Sequence, residues 1–214
     1  MEDRRAEVEA AAATLNSVLQ AAGGVGLLPS NDRYYADRLS SGQLVSSYEI
    51  DLVAYIVRTL PESLTILEIG SGIGQLPLLL ACLGRRAVGV EATPTRLGLA
   101  HRLQDALAAL CRDAAARAVL VSGYYPEEVA FPHDLLLATN IVNSWWESWQ
   151  IPDREKYQRT FVAPHAIIDL RTWFVLRETP EERHALASTI MQATGAQIAY
   201  EPIPGSTLVH LSRD

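Results

Sequence analysis

The sequence predicts an α/β fold built on a doubly wound, mostly parallel sheet. Short β-rich runs alternate with helical segments from residue 64 onward, and a glycine cluster stands where the first of these runs meets a helix. Hydrophobic residues make up 49% of the 214 residues, enough for a buried core. We expect one domain over residues 1–214, with an N-terminal helical cover or lid over 1–60 and an α/β core over 61–214.

The N-terminal cover is predicted to contain two helices. Apolar positions recur at helical spacing over residues 4–22. A loop rich in turn residues follows and carries Tyr34 and Tyr35. Ser46 is an N-cap for the second helix, whose apolar face continues to residue 60.

The core elements follow in alternation, each strand a short apolar run and each helix begun by a turn or capping residue. In chain order, we predict strands over residues 64–69, 87–91, 118–121, 134–138 and 166–170, and helices over residues 74–83, 94–112 and 180–194. Residues 196–202 and 207–211 flank a turn at Pro204-Gly205. These two runs are close enough to pair antiparallel, so we expect seven strands with a C-terminal hairpin.

Charge and cysteine usage exclude several function classes. The net charge of −7 provides no positive field for a phosphate backbone, so nucleic acid is disfavoured as a partner. Cys82 and Cys111 belong to no CxxC or Cys/His cluster, so we expect no metal. No apolar run approaches the ~20 residues of a membrane span, and the N-terminus lacks the apolar centre of an export signal. We therefore expect a cytoplasmic protein without a membrane partner.

The clearest functional signal is the segment LEIGSGIG at residues 67–74, where an apolar strand meets a helix. Its glycines permit unusual backbone dihedrals and let backbone N–H groups approach a ligand beside the positive helix end. Glu91 ends the next strand, where a carboxylate can accept ribose hydroxyls. The pattern is GxGxG, and Gln75 stands where the GxGxxG of dinucleotide-binding proteins needs its third glycine. NAD therefore fits this loop less well.

This combination resembles the class I S-adenosylmethionine-dependent methyltransferases over residues 46–214. That family has an acid on the first strand, then GxGxG, then an acid ending the second strand, and a terminal antiparallel strand pair. Pro164 stands where the family usually has a Pro-Gly-Gly turn, although His165-Ala166 follows it here. The resemblance implies a Rossmann-like methyltransferase sheet and S-adenosylmethionine as the cofactor.

The resemblance also assigns site residues by position. Glu68 and Gly70 are expected near the amino-acid part of the cofactor, Gly72 and Gly74 shape the loop, and Glu91 binds the ribose. The complete predicted cofactor site is Glu68, Gly70, Ser71, Gly72, Gly74, Glu91, Ala92, Ser122, Gly123, Tyr124 and Asn140.

The end of the third strand departs from the family pattern. Many members have an acid there that contacts the adenine amino group, whereas this chain has Ser122-Gly123-Tyr124-Tyr125. Either a serine or backbone group replaces the acid, or Tyr124 stacks on adenine. A strand-end turn with packed tyrosines is an equal alternative.

Acceptor-side residues are expected after the fourth and fifth strands. Three tryptophans within residues 145–149 form either an aromatic wall for a flat or cationic acceptor or a packing layer between the sheet and a helix. Arg171 is placed to pair with an acceptor carboxylate, and His165 is the best candidate base. The substrate candidates are Tyr34, Tyr35, Trp145, Trp146 and Arg171, and no catalytic residue is assigned.

Several functions stay open on the sequence alone. The leading hypothesis is in-line methyl transfer to a small-molecule O or N acceptor. The short segment SGQLVS at 41–46 faintly resembles the protein isoaspartate methyltransferases, although we interpret Ser46 chiefly as a helix cap. The altered third strand motivates a non-catalytic binding protein, and an NAD-dependent oxidoreductase ranks third. The sequence leaves the oligomeric state open, a homo-oligomer included.

Overall fold

The computed structural model describes residues 2–22, 33–139, 158–169, 188, 191–192, 195–200, 202–203 and 206–213. The helices within these residues are α1 (Glu2–Ala21), α2 (Arg33–Ser40), α3 (Ser47–Thr59), α4 (Gln75–Cys82), α5 (Pro94–Leu110) and α6 (Arg112–Ala115). The strands are β1 (Thr65–Ile69), β2 (Arg86–Glu91), β3 (Ala118–Ser122), β4 (Leu135–Ala138), β5 (His165–Asp169), β6 (Ile198–Tyr200) and β7 (Leu208–Ser212). None of the described helices is long and apolar enough to cross a bilayer.

The strands pair into one mixed sheet in the order β3-β2-β1-β4-β5-β7-β6. β1 to β5 are parallel, whereas β7 runs antiparallel to both β5 and β6. The predicted α/β sheet with a C-terminal antiparallel pair is thus confirmed. Because the parallel strands share one direction, their carboxyl ends meet at one edge, which we call the carboxyl edge. The chain order reverses at β1, so a ligand crevice is expected there.

Two sequence predictions need correction. The loop predicted between the first two helices contains α2, in which Tyr35 and Leu39 lie four residues apart and are both buried. This spacing places both side chains on one helical face, so packing against the core stabilises a helix where turn residues suggested a loop. The helix predicted over 94–112 is divided at Cys111, which lies between α5 and α6. Most of the helix predicted over 180–194 lies outside the described residues.

Strand alternation determines which side chains face α3. Ile66, Leu137 and Ile167 belong to one core cluster with the buried residues of α1 and α3. Side chains two positions further along a strand point to the same face. Glu68 and Asp169 therefore lie on the α3 side of the sheet, close to the carboxyl edge.

The amino end of α3 is closed by a capping box. The Ser46 hydroxyl accepts a hydrogen bond from the Glu49 backbone N–H, and the Glu49 side chain accepts one from the Ser46 backbone N–H. These contacts satisfy donors that a helix start leaves unpaired. The predicted capping role of Ser46 is confirmed, and the capped end of α3 carries Tyr48 and Glu49 to the carboxyl edge.

Candidate functional site

The glycine loop, residues 70–74, makes the predicted turn from β1 into α4. Gly70, Gly72 and Gly74 all have positive φ values, of 67°, 58° and 79°. This left-handed region is costly for residues with a Cβ, which explains the glycine at each position. The Ser71 N–H donates to the Val90 carbonyl at 3.0 Å and so attaches the loop to β2.

Glu91, predicted as the ribose-binding acid, also holds the loop against the end of β2. One carboxylate oxygen accepts a hydrogen bond from the Gly72 N–H at 2.8 Å, and the other accepts one from the Thr93 N–H at 2.8 Å. The side chain is buried. An ionised carboxylate has about four lone-pair sites, so both oxygens can still accept hydrogen bonds from ligand hydroxyls. Ala92 lies between Glu91 and Thr93, directly beside this contact.

Glu68 is a buried acid with one oxygen unsatisfied within the described part of the chain. Thr139, just beyond β4, donates its hydroxyl to Glu68 Oε1 at 3.0 Å, whereas Oε2 has no hydrogen-bond partner there. Burial raises the pKa of Glu68 well above its usual range, and the Glu49 and Glu91 carboxylates raise it further, against a lowering by the Thr139 hydrogen bond. A ligand cation beside Oε2 would stabilise the ionised form.

Unsatisfied polar atoms concentrate around the loop. Among the described residues, five buried side-chain polar atoms lack a hydrogen-bond partner, and three of them belong to Glu68, Ser71 and Gln75. Buried polar atoms are normally paired, so a cluster of exceptions at one place calls for an explanation. A polar ligand bound at the loop would provide one.

A network that the sequence analysis missed joins α2, α3 and α4 beside the loop. Arg38 Nη1 donates to both carboxylate oxygens of the buried Glu49, each at 2.9 Å. Gln75 Nε2 donates to Glu49 Oε1 at 3.2 Å. The sequence does contain one indication of this network. Ser46 and Glu49 have the S-x-x-E spacing of a capping box, which predicts that the Glu49 side chain turns back toward the start of α3.

Tyr35, predicted as a substrate residue, lies over the glycine loop. Its hydroxyl oxygen is 1.8 Å from the position that a Cβ on Gly72 would occupy. The Arg96 guanidinium carbon lies 5.2 Å from the centre of the Tyr35 ring. The side chain of Tyr34 lies outside the described part.

The end of β3 lies next to Glu91. Ser122 pairs in register with Glu91, and the Gly123 N–H donates to the Glu91 carbonyl at 3.3 Å. The two following tyrosines differ, because Tyr124 is 64% exposed while Tyr125 is buried. The prediction that the tyrosines pack into the protein therefore holds for Tyr125 and is wrong for Tyr124. The exposed ring of Tyr124 remains a candidate for stacking on adenine.

The sheet topology contradicts the prediction of His165 as the candidate base. It begins β5 at the amino edge of the sheet, away from the glycine loop, and its Nδ1 lies 3.4 Å from His210 Nε2. At the carboxyl end of the same strand, the buried Asp169 accepts hydrogen bonds from Tyr48 at 3.0 Å and Thr207 at 2.6 Å.

Four predicted site residues lie outside the described residues: Asn140, Trp145, Trp146 and Arg171.

Replacement of Glu68 by glutamine is expected to stabilise the protein above neutral pH. Folding raises the pKa of Glu68. The protonated side chain therefore contributes to the free energy of unfolding below about pH 4.5, and this contribution is lost as the pH rises through the pKa of Glu68 in the folded protein. Glutamine stays neutral and can still accept from Thr139. Thermal unfolding between pH 4 and 8 should show equal midpoints at pH 4 and a higher midpoint for the variant at pH 8, by roughly 2–4 °C per kcal/mol. The exposed Asp105→Asn on α5 is the control, and midpoint curves for Glu68→Gln that parallel the wild type would contradict the assignment.

Comparison with known proteins supports the same architecture. No family model and no curated protein matches the sequence. The chain is structurally similar to the mitomycin 7-O-methyltransferase MmcR, at 15% identity and a TM-score of 0.54 over 84% of this chain and 57% of that one. It is similar to a TehB-like SAM-dependent methyltransferase from Corynebacterium glutamicum, at 15% identity and a TM-score of 0.52 over 85% of this chain and 95% of that one.

A third similar structure is the pyocyanin biosynthetic protein PhzM, at 18% identity and a TM-score of 0.54 over 84% of this chain and 58% of that one. The chain thus spans little more than half the length of MmcR and of PhzM. Identities this low describe architecture and not activity. The chain has the fold of the class I SAM-dependent methyltransferases.

Proposed function

We propose that this protein is an S-adenosylmethionine-dependent methyltransferase that acts on a small-molecule oxygen or nitrogen acceptor. The observation that carries the proposal is the glycine loop bound to Glu91 through the Gly72 N–H, with the unsatisfied Glu68 oxygen at the same edge. Glu91 suits the ribose diol, and Glu68 Oε2 suits the ammonium of the cofactor's amino-acid part. Ser122, Gly123 and Tyr124 then lie on the adenine side.

The charge of the site favours a cationic ligand over a dinucleotide. Three acids, Glu49, Glu68 and Glu91, are buried close to the loop, and the Arg38 guanidinium pairs with Glu49. The pKa of Glu68 is raised in the ligand-free protein, and a cationic ligand would favour its ionised form. Such a site attracts a sulfonium and an ammonium, whereas it repels the pyrophosphate of NAD. The GxGxG spacing points the same way.

Methyl transfer needs little from the protein beyond binding and alignment. When bound near Glu68 and Glu91, S-adenosylmethionine would supply a methyl group that the acceptor displaces from sulfur, with the acceptor proton passing to solvent or a nearby base. The chain's contribution is to hold the acceptor on the side opposite sulfur and to exclude water. We assign acceptor contacts to Trp145, Trp146 and Arg171, with residues 1–60 as the cover of a single-domain enzyme.

A methyl-transfer assay tests the proposal. Purified protein is incubated with S-adenosylmethionine and separate panels of small phenols, alcohols, carboxylates and amines, and S-adenosylhomocysteine is quantified against a sample without acceptor. Product that depends on a small acceptor and disappears in Glu91→Ala supports the proposal. Product formed only with an isoaspartyl peptide would assign a protein carboxyl methyltransferase instead. Cofactor binding without product from any acceptor would favour the non-catalytic alternative.

A further inference from the structure

The Tyr35 side chain occupies the space directly over Gly72. A Cβ at Gly72 would lie 1.8 Å from the Tyr35 hydroxyl oxygen and 2.7 Å from Cζ, so the tip of the phenol lies against the loop backbone. The missing Cβ of a loop glycine is what allows a ligand to approach the backbone closely. In this structure, the protein's own tyrosine uses that space.

Contacts of Tyr35 and of its neighbour Arg38 hold α2 in this place. The ring is only 6% exposed, and the Arg96 guanidinium lies 5.2 Å from the ring centre, within cation–π range. One helical turn further along α2, Arg38 forms the ion pair with Glu49, which is 2% exposed. The short helix α2 is thereby attached to α5 through Tyr35 and to α3 through Arg38.

These side-chain contacts decide whether α2 stays over the loop. The helix has eight residues, and a helix of that length is marginal in water without tertiary contacts. Leu39 adds a buried apolar contact on the face that also carries Tyr35. Removing the Tyr35 contact should therefore release the part of α2 that covers the glycine loop.

We propose that Tyr35 is a plug that closes the glycine loop in the ligand-free protein and must leave Gly72 before the cofactor can bind. The identity of the ligand rests on the proposed function, whereas the closure of the loop does not. The plug lowers the apparent affinity, because only the fraction of molecules with an open loop is competent to bind. Affinity for the cofactor is then set partly by a residue that need not contact it.

Whether Tyr35→Ala raises or lowers the affinity for S-adenosylmethionine tests the proposal that Tyr35 closes the loop. Calorimetric titration with S-adenosylmethionine should show binding about tenfold tighter than wild type, as expected if roughly a tenth of wild-type molecules are open. Tyr35→Phe loses only the hydroxyl that lies nearest to Gly72 and should give a smaller gain. Asp37→Asn, an exposed change on the same helix, should leave the affinity unchanged. Weaker binding by both Tyr35 variants would show that Tyr35 contacts the ligand, and would overturn the proposal.

Amide hydrogen exchange without ligand separates this proposal from the proposed function. In the ligand-free protein, exchange at residues 70–74 should be several-fold faster in Tyr35→Ala and Tyr35→Phe than in wild type or Asp37→Asn. If S-adenosylmethionine binds none of these proteins, the proposed function fails. The exchange rates still show whether Tyr35 closes the glycine loop. Unchanged exchange at the loop in both Tyr35 variants, with wild-type circular dichroism, would overturn it.

Discussion

Gly72→Val should reduce the affinity for S-adenosylmethionine more than 100-fold. Gly72 has φ of 58°, a conformation that costs a residue with a Cβ roughly 1–2 kcal/mol and a β-branched residue more. The new Cβ would also occupy the space that Tyr35 or an approaching ligand needs. The loop must either change its path, and so lose the hydrogen bond from Gly72 to Glu91, or exclude the cofactor.

The measurement is calorimetric titration, with urea unfolding to confirm that the Gly72→Val protein is folded. Gly98→Val is the matched control, because Gly98 is an exposed residue of α5 with no atom within 4 Å of an added Cβ. Its affinity should stay within about threefold of wild type, since nothing at this position contacts the loop. Near-normal affinity in a folded Gly72→Val protein would place the cofactor away from the glycine loop.

Glu91→Ala is expected to weaken cofactor binding about 100-fold and also to lower stability. The carboxylate accepts hydrogen bonds from two backbone N–H groups, of Gly72 and Thr93, and both donors would be left without this partner. An unsatisfied buried donor costs about 1–3 kcal/mol, which applies in full to the buried Gly72 N–H and only in part to the half-buried Thr93 N–H. The loss of the ribose acceptor adds a binding term of about 1.5–3 kcal/mol for hydrogen bonds to a charged group, which is roughly 10- to 100-fold in affinity.

Two readouts separate the binding loss from the stability loss in Glu91→Ala. Chemical unfolding gives the stability, and titration well below the unfolding transition gives the affinity of the folded fraction. Asp105→Ala removes an exposed acid of α5 and should change neither quantity. Wild-type affinity in folded Glu91→Ala would remove Glu91 from the cofactor site.

Local patterns were sufficient to predict the sheet and the glycine turn from β1 into α4. The β1 strand, the glycine loop and the acid at the end of β2 are each encoded within a few adjacent residues, through apolar runs and glycine spacing. Parallel pairing then brings Glu91 to Gly72 without further information from the sequence. For this reason the loop and its acidic partner were found together.

Contacts between distant segments could not be predicted in the same way. Thr139 lies 71 residues from Glu68 in the sequence. The contact of Tyr35 with Gly72 depends on α2, a helix that lies where turn-forming residues predicted a loop. Arg38 had no sequence signal that paired it with Glu49. His165 was misplaced because proximity to a predicted loop does not specify which edge of the sheet that loop occupies.

Calorimetric titration of the wild-type protein with S-adenosylmethionine, S-adenosylhomocysteine and NAD is the decisive experiment on the methyl-donor site. We expect saturable one-to-one binding in the micromolar range for the first two compounds, and no saturable binding for NAD. A folded protein that binds neither S-adenosylmethionine nor S-adenosylhomocysteine, or that prefers NAD, would contradict the assignment of the glycine loop, Glu68 and Glu91 to a methyl-donor site.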